Sequence, residues 1–107
     1  MQVKGNIWIE ENDGVKVGKG RAVLLQKIKQ GGSIADAARQ LKMPYRKAWA
    51  MVKEMNKNKS NPVVEKAAGG TNGGGAHLTE RGKELLEAFS ALTNEFEKFQ
   101  NGFISEK

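Results

Sequence analysis

SIADAARQLKMPYRKAWAMVKEM, residues 33–55, divides at Leu41-Lys42-Met43-Pro44 into two amphipathic halves. In the first, Ile34, Ala37, Ala38 and Leu41 recur at i, i+3, i+4 and i+7, the single apolar stripe of a short helix. Ser33 is a good N-cap, and Asp36 takes the third helical position of a capping box, with Asp in place of Glu. The second half starts near Pro44, whose missing N–H would have no intrahelical partner there, and runs to about Asn56. Tyr45, Ala48, Trp49, Val52 and Met55 form its apolar face. Arg46, Ala50, Lys53 and Lys57 follow one another on the opposite face, with Lys47 beside them. The small Ala37 and Ala38 allow close helix approach, Lys42 falls at the sharp turn, and Met43 fills the gap between the helices. Two short helices, a tight turn and a basic outer face make a helix-turn-helix pattern suited to a major groove. An ordinary helical hairpin with a solvated face is the plainer alternative.

Working outward, Leu24, Leu25 and Ile28 give one buried face to a helix from about Arg21 to Gln30, which Gly31-Gly32 ends. Before it, Ile7 and Ile9, then Val15 and Val17, alternate around Asp13-Gly14, which predicts a hairpin with a two-residue type I′ turn. After residue 56, Lys57 to Asn61 read as an exposed loop. Val63–Ala67 and Ala76–Leu78 read as a second hairpin. Its glycine-rich tip, 69–75, cannot hold a regular element, because glycine loses too much backbone entropy there. A last helix is expected from the N-cap Thr79 to Asn101. The expected fold is one domain, mainly α with small β: a winged helix-turn-helix with an N-terminal β-hairpin and a long C-terminal helix. Its parts are a hairpin at 1–17, three helices at 20–58, a wing at 62–78 and a dimerisation helix at 79–101.

The charge is uneven. The chain has a formal net charge of +6, but residues 1–75 hold 14 basic and 6 acidic side chains against 4 and 6 in residues 76–107. A basic body with a mildly acidic tail suggests a polyanion as partner of the body. There is no cysteine, which excludes disulfides and thiolate metal sites. No apolar run approaches the roughly 18 residues of a membrane span, and the Met1–Asn6 start lacks the apolar stretch of a secretory signal. The expectation is a cytoplasmic protein with no membrane partner.

Chemistry-bearing residues take mostly structural readings. His77 has no second ligand at metal spacing. The glycines of 69–75 and Gly18-Lys19-Gly20 lack the Gly-Lys-Ser/Thr ending of a phosphate-binding loop. Glu80, Glu84 and Glu87 read as a solvated face rather than paired catalytic acids. No catalytic residue, metal ligand or cofactor is expected, and the chain is not read as an enzyme.

The basic stripe supplies the expected contacts to double-stranded DNA. Arg46 is placed for a base edge, and Lys47, Lys53 and Lys57 for phosphates. Tyr45 and Ser33 lie at the two helix starts, and Lys66, Thr71 and Asn72 come from the wing. Leu85, Phe89, Leu92, Phe96, Phe99 and Phe103 follow heptad spacing, the seam of a paired helix and hence a homodimer. The competing readings are a protein-interaction module on the same scaffold and, third, a small nucleotide-binding enzyme.

Several segments together resemble the DNA-binding domain of the molybdate-responsive regulators, the ModE family, and more distantly the winged helix of LysR-type regulators. They are Gly20-Arg21 with Leu24-Leu25 and Ile28, Gly32-Ser33-Ile34 with Ala37-Ala38, and Met43 to Trp49. The glycines at 69–70 and 73–75, with Leu78-Thr79-Glu80-Arg81-Gly82, complete the match over about residues 6–90. The resemblance implies operator binding by a dimer. Two positions depart from the family pattern: Lys42 stands where Gly is usual, and Pro44 where Ser is common. Family members also carry molybdate-binding domains, for which 107 residues leave no room. The expectation is therefore DNA binding without oxyanion sensing in this chain, with any effector-sensing partner a separate and unknown one.

Overall fold

The computed structural model describes residues 1–67 and 75–105, with Ile104 and Ser105 defined by backbone alone. The elements are β1 (Ile9–Glu10), β2 (Lys16–Val17), α1 (Lys19–Gly31), α2 (Ile34–Gln40), α3 (Tyr45–Met55), β3 (Val64–Lys66), β4 (Ala76–Leu78) and α4 (Glu80–Ser105). Among the described residues, four helices and two antiparallel pairs, β1–β2 and β3–β4, make a mainly helical fold with small β.

α1 is the central element. Leu24, Leu25 and Ile28 are fully buried, and the helix touches β2, α2, β4 and α4. It starts two residues before the expected Arg21 and ends at the expected glycines: Gly31 closes it, and Gly32 takes φ +73° while its N–H donates to Ile28 O at 2.8 Å. Strand alternation completes the core. Val15 and Val17 are buried on either side of exposed Lys16, as are Ala76 and Leu78 on either side of exposed His77.

The first hairpin differs from expectation. A type I′ turn needs positive φ at both Asp13 and Gly14, yet Gly14 alone has it, at +89°. Five residues, Glu11 to Val15, join the strands: Gly14 N–H donates to Glu11 O at 2.9 Å, and Glu11 N–H to Val15 O at 2.8 Å. The Asp13 carboxylate accepts Val15 N–H at 3.2 Å, a side-chain bond two residues on that closes the turn.

α2 begins as its sequence requires, with Ser33 Oγ accepting Asp36 N–H at 2.8 Å. The reciprocal half of the capping box is absent from the bonds of the described residues, because the Asp36 carboxylate pairs with Arg39 instead. The α2–α3 turn is a Schellman closure: Met43 N–H donates to Ala38 O at 3.0 Å and Lys42 N–H to Arg39 O at 3.1 Å. Lys42 takes φ +56°, the one positive φ of a non-glycine among the described residues. That geometry costs a residue with a Cβ on the order of 1 kcal/mol.

α4 is 26 residues long, about 39 Å at 1.5 Å per residue. Leu85 and Phe89 bury its first half against the body. The second half runs on, accompanied by the N-terminal segment, where Gln100 Nε2 donates to Val3 O at 2.6 Å. The overhang explains a radius of gyration of 15.7 Å, against about 13 Å for a compact chain of this length. No helix among the described residues is long and apolar enough to cross a membrane.

Candidate nucleic-acid interface

α3 turns one face inward and one outward. Ala48, Val52 and Met55 are buried, while Arg46, Lys47, Ala50 and Lys53 are exposed. Pro44 caps the start with φ −60° and ψ 141°, one residue outside the helix, and offers no side-chain acceptor. Arg46, Lys47 and Lys53 make no ion pair among the described residues, so their charges face solvent uncompensated.

Three expectations for this helix are corrected. Tyr45 does not join the buried face; it is 50 % exposed, since the helix start overhangs the core. Trp49 is only half-buried, at the border between the two faces. Lys57 does not continue the stripe, because α3 ends at Met55, and its ammonium pairs with Glu54 at 3.2 Å.

The second hairpin is fixed against the helices at three points. Asn56, just after α3, donates through Nδ2 to Val64 O at 2.8 Å, and its Oδ1 accepts Val63 N–H at 2.7 Å and Val64 N–H at 3.1 Å. Ala76 N–H donates to Gly32 O at 2.8 Å, beside a bridge between Ser33 and Gly75 that joins β4 to the start of α2. The Lys66 ammonium of β3 stands 5.7 Å from the centroid of the Trp49 ring. A cation of the hairpin and the aromatic of α3 thus share one face. Ser33 is half-buried and its oxygen is engaged as the cap. Thr71 and Asn72 lie outside the described residues. His77 is exposed on β4, 3.5 Å from Glu65 on the facing strand.

A polar network between α4, the first hairpin and the loop after α3 was not legible in the sequence. Arg81 Nη2 donates to Asp13 at 2.9 Å and to Glu11 at 3.2 Å, and Nη1 to Asn61 O at 2.8 Å. Asn58 Nδ2 adds a bond to the other Asp13 oxygen at 2.8 Å. The Arg81 hydrogen bond, then that of Asn58, holds the Asp13 carboxyl far below the usual carboxylate range, and the Asp13 bond raises Arg81 in turn. One side chain therefore ties α4 to the first hairpin and to the loop after α3.

The structure also explains Leu78-Thr79-x-x-Gly82. Leu78 is buried, and Thr79 Oγ accepts Gly82 N–H at 3.0 Å while donating to Pro62 O at 2.7 Å. A Cβ on Gly82 would stand 2.3 Å from Val63 O, so only glycine lets the start of α4 approach the backbone before β3.

The expected seam on α4 divides in two. Leu85 and Phe89 are buried in the chain's own core, and Leu92 is packed against it. Core packing and a partner seam ask for the same three-and-four spacing, and here the core takes the first part. Phe96 is half-buried close to Gly5, while Phe99 and Phe103 are 58 % and 45 % exposed. The three rings follow one another along the helix with centroids 6.3 Å apart.

The described molecule is thus a small helical domain with one uncompensated cationic helix face flanked by a hairpin. No family model matches the chain. It is 40 % identical over 93 residues to the molybdenum-pterin-binding protein MopB of Rhodobacter capsulatus, covering 87 % of this chain and 34 % of that protein. It is 42 % identical over 72 residues to the transcriptional regulator ModE of Haemophilus influenzae, covering 67 % and 28 %. It is 39 % identical over 72 residues to the DNA-binding transcriptional dual regulator ModE of Escherichia coli, again covering 67 % and 28 %. The chain spans about a third of the length of the curated relatives it matches. These similarities support a ModE-like relationship, and the relatives' names describe regulators and molybdenum-binding proteins.

Proposed function

We propose that this chain is a winged helix-turn-helix that binds double-stranded DNA sequence-specifically and regulates transcription as a homodimer in the cytoplasm. The observation that carries this reading is α3: Arg46, Lys47 and Lys53 are exposed and unpaired among the described residues, on the helix that follows the Lys42 turn. α2, the turn and α3 fit the helix-turn-helix, with α3 as the helix that enters the major groove. β3 and β4 fit the wing, held beside α3 by Asn56 and placing Lys66 on the same face. The regulators among the relatives support DNA as the partner. The exposed end of α4, Phe99 and Phe103 with Phe96, supports the dimer.

Titration of the full chain against random duplex DNA at two salt concentrations tests the reading. Binding through Lys and Arg weakens with a slope of about −0.9 in log K against log salt for each phosphate neutralised. Salt-independent binding, or none at micromolar protein, overturns it and leaves the protein-interaction module.

The likeness to MopB, of which the chain matches 34 %, favours a second reading, a role in molybdenum binding. Calorimetric titration of the chain with molybdate separates the two readings: heat of binding supports the second, and its absence leaves the first.

A further inference from the structure

We infer that Tyr45 and Trp49 form an apolar shelf on α3 that takes the 5-methyl groups of thymines, which makes Trp49 a specificity-determining residue. The inference rests on the DNA-binding reading above and deepens it. Tyr45 and Trp49 stand four residues apart, so their rings are neighbours on one helix face. They line an open concavity of about 480 Å³ together with Arg46 and Lys53, and its walls are mostly apolar. Tyr45 is half-exposed and Trp49 half-buried beside it, an apolar patch of the kind that marks an interaction site.

The surroundings name the occupant. Arg46 and Lys53 border the concavity, and the Lys66 ammonium stands over the Trp49 ring. An apolar floor with a cationic rim suits an apolar group held between phosphate-bearing edges. In the major groove that group is the thymine methyl, the one apolar feature among the base edges, and apolar side chains are its usual readers. Ala50, exposed on the next position of α3, lines an adjoining concavity that also has Trp49 and Lys53 in its wall. Arg46 beside the shelf remains free to address guanine.

Each methyl removed from water contributes about 0.8 kcal/mol, which is about fourfold in affinity. The test uses the full chain and duplexes selected from a random pool. Each thymine of a selected site is replaced in turn by deoxyuridine, which removes the methyl and keeps the base pair. We expect about fourfold weaker binding at one or more positions of each half-site. Trp49→Ala, and to a lesser degree Trp49→Phe, is expected to erase that difference and leave the salt slope unchanged. Equal binding of thymine and deoxyuridine sites by the unaltered chain overturns the inference and leaves DNA binding intact. So does a thymine preference that survives in Trp49→Ala. Failure of the pool to yield any salt-dependent binder overturns the DNA-binding reading itself, and the shelf with it.

Discussion

The carboxamide of Asn56 holds the backbone of Val64 from both sides, donating to its carbonyl at 2.8 Å and accepting its N–H at 3.1 Å. The same oxygen takes Val63 N–H at 2.7 Å. One residue after α3 therefore does for β3 what a neighbouring strand would do. Asn56→Ala leaves three part-buried backbone groups without partners. An unmet buried group costs about 1–3 kcal/mol, and water reaches part of this site. A loss of about 2–4 kcal/mol is expected in urea unfolding. Asn56→Asp keeps the acceptor and loses the donor, so it should fall between the alanine variant and the unaltered chain.

Lys42 gives a prediction of opposite sign. Its φ of +56° is one that glycine adopts freely. Lys42→Gly relieves about 1 kcal/mol of backbone strain and adds freedom to the unfolded chain, which offsets part of it. A net gain of roughly 0.5 kcal/mol is expected in the urea midpoint. A β-branched replacement such as Lys42→Val should instead destabilise.

These two residues mark how far the sequence could be read. Lys42 was legible as a turn because periodic stripes on either side leave four residues between helices. The end of α1 and the starts of α2 and α3 followed from Gly32, Ser33 and Pro44 for the same local reason. Asn56 was not legible, because its partners lie seven and eight residues on and an Asn after a helix has several common uses. Arg81 reaches Asp13 across 68 positions, a separation that carries no periodic signal. On α4 the spacing from Leu85 to Phe103 is continuous, so the sequence holds nothing to mark where core packing stops. At the candidate site, the cations of α3 were legible by spacing, while the exposure of Tyr45 depends on how far the helix start overhangs the core.

Acid should expose the Arg81 network. The folded chain holds the Asp13 carboxyl far below its ordinary value of 3.8. Between the folded and unfolded values the unfolded chain binds more protons, so stability rises with pH there. The contribution is fully present above about pH 4–5 and is lost progressively as pH falls through and below the ordinary carboxylate range. Urea midpoints measured from pH 2 to 6 should fall less steeply toward acid in Asp13→Asn. Equal slopes in the two proteins would sink this assignment.

Arg46 and Lys57 should behave differently toward DNA, although both were placed on one stripe by spacing. Arg46 is exposed on α3 and unpaired among the described residues, whereas Lys57 lies beyond the helix and pairs with Glu54. If Arg46 addresses a guanine, Arg46→Ala loses about 1–3 kcal/mol against selected sites and relaxes preference at one position. Lys57→Ala should change affinity little and preference not at all. Competition binding with selected and shuffled duplexes reads both effects. An Arg46→Ala protein with unaltered preference removes Arg46 from base recognition.

The free end of α4 makes the last prediction. Phe99 and Phe103 are 58 % and 45 % exposed on the part of the helix that has left the body. Phe96 continues the stripe inward, half-buried against the N-terminal segment. A partner helix laid along these rings would cover them, and two-fold symmetry would bring Phe99 and Phe103 into the interface from both protomers. Covering a Phe side chain contributes about 1.5–3 kcal/mol in full, so four half-exposed rings supply at least about 3 kcal/mol. Phe99→Glu with Phe103→Glu should therefore weaken dimerisation by at least about a hundredfold. Both positions are solvent-facing in the single chain, so its own fold should survive, as circular dichroism and thermal melting would report. Sedimentation equilibrium decides the matter. A chain that is monomeric at micromolar concentration without substitution, or a double variant that dimerises as tightly as the parent, would mean that this end of α4 pairs with nothing of its own kind.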